Sequence, residues 1–267
     1  MYRIRPPAVA GTFYSDQANI LARDVTTLLT AAVPQNDIPK AIIVPHAGYI
    51  YSGTTAAAAY ASLAAGRGKI TRVVLLGPVH RVAVHGLALP DADAFATPLG
   101  NIPIDHNAVA LLNTMPQVVT SAAAHAWEHS LEVQLPFLQS VLGDFSLVPL
   151  AVGDATPAEI AEVLNALWGG PETLIVISSD LSHFLSYETA QAVDQQTAQR
   201  ILELHGPLSH EQACGGTPIN GMLLAAKRHH LQPILLDLRN SGDTAGDKSH
   251  VVGYASFAFM EDADHAH

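Results

Sequence analysis

Three apolar runs in this 267-residue chain lead into a histidine, and that recurrence is its first chemical signal. Ala41-Ile-Ile-Val-Pro-His46 continues into Ala-Gly-Tyr49. Arg72-Val-Val-Leu-Leu-Gly77 continues into Pro78-Val79-His80. Thr173-Leu-Ile-Val-Ile-Ser-Ser-Asp180 continues into Leu-Ser-His183. Neutral imidazole binds divalent metals, and a carboxylate such as Asp180 completes a two-histidine, one-carboxylate face suited to Fe(II). The same donors suit Zn²⁺, and copper also takes imidazole. A single histidine at a strand end more often caps a helix or sits in a hydrogen-bonded loop. The case rests on three of them at one kind of position.

Two further polar clusters stand beside them. His125-Ala-Trp127-Glu128-His129-Ser-Leu-Glu132 places His125 and His129 on one face of an expected helix, and Glu128 and Glu132 on the next. Its order differs from the His-Glu-x-x-His motif of zinc proteases. The bland reading is a helix start with acidic residues near its positive end. The following Leu131–Leu142 stretch is apolar and contains Pro136, which predicts a packed, kinked helix. Leu238-Arg-Asn-Ser-Gly-Asp243-Thr244-Ala-Gly-Asp247 has the composition of a turn. Its place after another strand candidate makes Asp243 a possible ligand. Phe13, Tyr14, Tyr49 and Tyr51 can wall a pocket, or simply fill the core.

The elements that must position these residues alternate between strand and helix. Strands are expected at Ala41–Val44, Arg72–Leu76, Gly86–Leu89, Phe145–Val152, Thr173–Ile177, Pro233–Leu238 and Val251–Phe259. Several are apolar on both faces, as strands covered by helices on both sides must be. Helices are expected after Ser15, over Gly53–Ala64, after Thr156-Pro157 with Glu159 completing a capping box, over Tyr187–Leu204, and from Thr217-Pro218 to about His230. The pattern predicts one α/β domain, with a central, mainly parallel sheet flanked by helices. Parallel strands deliver their C-terminal ends to one edge, where ligands bind, so His46, His80 and His183 should meet there.

Composition narrows the function. Hydrophobic residues make up 49% of the chain and charged residues 14%, enough apolar material for a large core. With 24 acidic and 13 basic residues the formal charge is −11, which disfavours nucleic acid and anionic membrane surfaces. The single cysteine, Cys214, excludes an internal disulfide and suits a reducing cytoplasm. The first thirteen residues contain two prolines and no long apolar run, so neither a signal peptide nor a membrane span is expected. His265 and His267, in an acidic tail, are expected to be solvated.

Read together, Pro6-Pro7-Ala-Val-Ala-Gly11-Thr-Phe-Tyr14, Pro45-His-Ala-Gly-Tyr49, Gly77-Pro-Val-His80, Glu128-His-Ser-Leu-Glu132, Ser178-Ser-Asp-Leu-Ser-His183 and Ser241-Gly-Asp243 resemble the Memo family. This is protein B of the AmmeMemoRadiSam group, whose members accompany an AMMECR1-like protein and a radical SAM protein. The resemblance implies the fold of class III extradiol dioxygenases, whose pocket holds non-haem Fe(II) through two histidines and a glutamate. By that likeness His46 and His80 are metal ligands and His183 is the acid/base, with Asp180 beside it. Phe13, Tyr51, His129 and Glu132 would then contact substrate. The third-ligand position falls at Asp243–Thr244, where animal members carry cysteine and the dioxygenases glutamate. Thr244 occupies it here, leaving Asp243 as the substitute and Cys214 elsewhere in the chain. The expected activities are a dioxygenase-like oxidoreductase or a peptide- or phosphopeptide-binding module using the same pocket. A companion role with AMMECR1-like and radical SAM proteins, and Zn²⁺-dependent hydrolysis, are further expectations.

Overall fold

The computed structural model describes residues 2–33 and 37–261, so His265 and His267 lie outside the described residues. In chain order the first half contains β1 (Ile4–Arg5), α1 (Ala18–Ala31), β2 (Ala41–Val44), α2 (Tyr49–Ala61), β3 (Arg72–Pro78) and β4 (Leu87–Leu89). It continues through β5 (Ala94–Thr97), β6 (Gly100–Pro103), α3 (His106–Leu112), β7 (Val118–Thr120), α4 (Ala122–Ala126) and α5 (Leu135–Leu142). The second half contains β8 (Ser146–Val152), α6 (Pro157–Ala166), β9 (Thr173–Ser178), β10 (His183–Leu185) and α7 (Tyr187–Leu202). It ends with α8 (Gly216–Arg228), β11 (Gln232–Asn240) and β12 (Val251–Met260).

The main sheet runs β10-β12-β2-β9-β3-β8-β4-β7, and β11 also pairs with β12. The expected parallel centre flanked by helices is present, and antiparallel strands at its sides make the whole sheet mixed. Strands β2, β9, β3 and β8 form a parallel centre, but β12 joins β2 antiparallel and β4 joins β8 antiparallel. The reason lies in the connections. β11 and β12 are joined by a loop without a crossover helix, so they pair as an antiparallel hairpin. A small sheet, β1-β5-β6, which the sequence pattern did not mark, lies apart from the main one.

Residues of the central strands alternate between two apolar layers, because successive side chains leave a strand on opposite faces. Ile43, Val74, Leu76, Val148, Ile175 and Ile177 pack with residues of α6, α7 and α8. Ile42, Val44, Val73, Leu75, Leu174 and Val176 pack with residues of α1, α2 and α5. Burying each such side chain contributes roughly 1.5–3 kcal/mol, which is why both faces carry helices. The capping box at Thr156 and Glu159 is present with Pro157 in the first turn.

Three helix expectations shift. Helix α1 has Gln17 rather than Ser15 at its N-cap. Helix α2 starts at Tyr49, directly after the His46 loop, four residues before Gly53. The helix expected through His125 to Leu142 is broken between α4 and α5, and Pro136 sits in the first turn of α5 instead of kinking a longer helix.

Candidate metal centre

Strands β2, β3 and β9 are neighbours in the parallel centre, so their C-terminal ends open on one edge. His46 follows β2 by two residues, His80 follows β3 by two, and Asp180 and His183 follow β9. All four line one cavity of ≈ 580 Å³, together with Phe13, Tyr51 and His129. The ring centroids of His46 and His80 are 5.3 Å apart, those of His46 and His129 5.5 Å, and those of His80 and His129 4.8 Å. One ring nitrogen from each of these three histidines lies within 4.8 Å of the other two. They form a group that a metal ion can share.

Hydrogen bonds settle which nitrogens face the cavity. Ser178 Oγ donates to the Ser130 carbonyl at 2.6 Å and accepts from Gln134 Nε2 at 2.8 Å. Gln134 is held in turn by Tyr60 OH, which donates to its Oε1. The Ser178 proton is thus committed, so His46 Nδ1, 2.9 Å away, must be the donor and Nε2 keeps its lone pair. His80 Nδ1 lies 2.9 Å from Glu128 Oε1. A carboxylate only accepts, so Nδ1 is the donor, and in the neutral ring Nε2 keeps the lone pair. Such outer partners orient imidazole ligands and raise their basicity.

Glu128 is the organiser of this corner. Its carboxylate accepts from the backbone N–H groups of His80, His129 and Ser130. Burial alone would raise its pKa, but the His80 ring and these N–H groups outweigh that and hold it at about 2. The same contacts explain why the expected helix stops. The Glu128 side chain turns the N–H groups of residues 129 and 130 away from helical pairing. His125 and His129 therefore part: His125 is buried with Nε2 against the Ala88 carbonyl, and His129 faces the cavity against Phe13. Gly77 makes room for this loop, since a Cβ there would meet Ser130 Oγ at 2.8 Å.

The charge state of the cluster follows from burial. Desolvation, reinforced by neighbouring imidazoles, pushes His46 well below the ordinary histidine range, and His129 falls to about 4. His183 is also lowered by burial, partly opposed by its bond to the Leu181 carbonyl. These are neutral imidazoles at pH 7, the form that binds metal. Asp180 is buried and raised to about 7 by desolvation, although its Oδ1 accepts from His46 N at 2.8 Å.

The family model described as Memo-like protein matches residues 5–258. The chain belongs to the Memo family. A MEMO1 family protein of Aquifex aeolicus is 37% identical, covering 97% of this chain and all of the relative. Others from Ignicoccus hospitalis and Metallosphaera sedula are 36% and 34% identical, each over 96% of this chain and nearly the whole relative. The crystal structure of an uncharacterized protein from Escherichia coli K12 shares the fold, with TM-score 0.50 and 15% identity. That match covers 81% of this chain and 98% of the other.

Against the Memo-family expectations, the remaining site residues divide. Asp243 does not line the cavity. Its carboxylate accepts from Asn240 N and from Tyr187 OH, closing the turn on itself, while Ser241 and Asp247 of the same turn reach the cavity wall. The imidazole that groups with His46 and His80 is that of His129. Glu132 is fully buried and does not line the cavity either: it pairs with Arg5 and accepts from Ala8 N, Val9 N and Tyr14 OH. It ties the N-terminal segment carrying Phe13 to the loop carrying His129. Losing one partner of a buried ion pair costs about 3–5 kcal/mol, so this tie is structural.

Cys214 requires a correction. It is far in sequence from every motif, yet its Sγ lies 3.3 Å from His46 Nε2. It arrives from the loop before α8, where Gly215 packs so closely that a Cβ would meet the Ser178 carbonyl at 2.7 Å. Burial, then the Asp180 carboxylate, pushes its thiol up to about 12, so it stands as a neutral S–H group. Nothing near Cys214 in sequence signals this; only the close pair of glycines after it hints at a tight backbone approach.

Proposed function

We propose that this Memo-family chain is a metalloenzyme acting on a small molecule, with a divalent transition metal, iron(II) foremost, held by His46, His80 and His129. One observation carries the reading: a buried, a half-buried and a more exposed imidazole share a metal-sized group, and two of them have their Nδ1 atoms held by second hydrogen bonds. The donor set fits such a metal, since imidazole suits iron, zinc and copper alike. A bound metal would supply Lewis-acid polarisation of a substrate oxygen and, with iron, access to dioxygen chemistry.

The protein's own groups do the rest. His183 Nδ1 donates to the Leu181 carbonyl at 2.9 Å, which leaves Nε2 free to take a proton from a substrate hydroxyl and return it later. Phe184 supports that pose: its backbone takes φ 60°, so its ring turns outward while His183 turns into the cavity. Asp180 fixes the His46 backbone. Phe13 and Tyr51 wall the cavity. The test is anaerobic loading with Fe(II) and with Zn²⁺, followed by O₂ uptake and absorbance across catechol-type substrates. Binding of either metal with turnover supports the enzyme reading; no binding of any divalent metal removes it.

A second reading, a docking module for AMMECR1-like and radical SAM partners, draws on two exposed aromatics beside the site. Trp127 precedes Glu128 and Phe184 follows His183, and they are 69% and 73% exposed. No lysine or arginine lines the cavity among the described residues, which gives phosphopeptide recognition little support. Co-purification from the native host, with wild type and Trp127→Ala, tests the docking role.

A further inference from the structure

His80 and His183 belong to two cavities. On one side lies the metal-capable chamber; on the other is a larger cavity of ≈ 1090 Å³ that contains none of the other metal-capable imidazoles. The two differ in chemistry. The smaller adds Asp180, Ser241, Asp247 and His250 to the histidine cluster. The larger is walled by Val79 and Val84 beyond β3, Val152 at the end of β8, Leu185 of β10 and Val193 of α7. No lysine or arginine lines it among the described residues, and its acidic groups are Asp154 and Glu211.

We propose that this larger cavity is the substrate chamber, and that it takes an uncharged, mainly apolar molecule with one oxygen-bearing end. The apolar body lies among Val84, Val152, Leu185 and Val193, and the polar end reaches past His80 and His183 to the three imidazoles. The cavity, at ≈ 1090 Å³, is slightly larger than the range of about 300 to 1,000 Å³ common for small-ligand sites, so it has room for such a molecule. The wall chemistry sets the class: burying an aryl or alkyl body there is favourable, and an anionic body would meet the Asp154 and Glu211 carboxylates with imidazoles but no lysine or arginine to balance it. Cys214 also faces this chamber while touching His46, so an occupant would lie beside the thiol as well. The inference rests on the metalloenzyme reading for its polar end, but its apolar half is tested independently.

The experiment loads the full chain with cobalt(II) and follows its visible spectrum while two chelators are added, acetohydroxamate and 2-naphthohydroxamate. Both carry the same metal-binding head, and only the second carries an apolar body. The expected result is that both perturb the spectrum and the naphthyl compound binds about thirtyfold more tightly or better. Val193→Trp and, as a second variant, Leu185→Trp should each remove that advantage while leaving acetohydroxamate binding unchanged. Equal affinities in the wild type, or an advantage that survives both substitutions, overturns the proposal. If cobalt(II) does not bind, the metal reading fails, and the chamber is judged on 2-naphthol fluorescence alone. Saturable 2-naphthol binding lost in Val193→Trp upholds the chamber, and no binding removes it.

Discussion

The Sγ of Cys214 sits 3.3 Å from Nε2 of His46, on the lone pair that a metal would need. The Ser178 bond leaves Nε2 as the acceptor, and the thiol, pushed up to about 12 by burial, remains protonated at neutral pH. The two groups form a weak S–H···N hydrogen bond that would compete with a metal for that lone pair.

Replacing Cys214 by alanine should therefore tighten divalent-metal binding. Such a bond is worth about 0.5–1 kcal/mol net, so the gain should be about two- to fivefold. Calorimetric titration with Zn²⁺ checks it. A loss of affinity would show instead that the sulfur ligates.

His129 and Asp243 provide a direct contrast. His129→Ala should abolish or strongly weaken metal binding, because it removes one of three donors. Asp243→Ala should leave the affinity unchanged and loosen only the 241–243 turn, where the carboxylate caps Asn240 N. Parallel titrations of both variants read the difference, and a metal-binding loss in Asp243→Ala would reverse the assignment.

Glu128→Gln probes the outer partner of His80. Glutamine keeps an acceptor but loses the charge that holds the Nδ1 proton and its backbone N–H partners. Metal affinity should fall about 10–100-fold with the fold retained. Circular dichroism beside the titration separates this outcome from unfolding, and an unchanged affinity would remove the orienting role.

The pH dependence of stability has two opposing parts. His125 and His129, both lowered to about 4 mainly by burial, stay neutral in the folded chain while the unfolded chain takes protons below about 6.5. Their contribution is present above that pH and is lost as pH falls toward 4. Asp180, raised to about 7, keeps its proton in the folded chain where the unfolded chain loses it above about 4. Its contribution is present at low pH and lost as pH rises through 7. Asp180→Asn removes that compensation. Between pH 4 and 6.5 the metal-free variant should lose stability more steeply than wild type, by up to roughly 1.4 kcal/mol per pH unit. Urea unfolding at several pH values measures both slopes, and parallel slopes would show that Asp180 does not hold its proton in the fold.

Much of this protein was legible in its residues. Doubly apolar runs at Ile42, Val74 and Ile175 announced buried strands, because only helices on both faces can hide such surfaces. Parallel strands send their C-terminal ends to one edge, so His46, His80, Asp180 and His183 could be assigned a common cavity from order and spacing alone. Tertiary structure decided what closes over that edge. His129 enters because Glu128 breaks a helix that local pattern favoured, and the loop fits only because residue 77 lacks a side chain. Cys214 enters because Gly215 lets a distant loop lie on β9. Asp243 and Glu132, polar residues in promising places, turn their carboxylates to backbone N–H groups. Local sequence encodes which faces of a strand are buried, through side-chain periodicity. It does not encode which loops meet at its end, because that is settled by contacts between segments more than thirty residues apart.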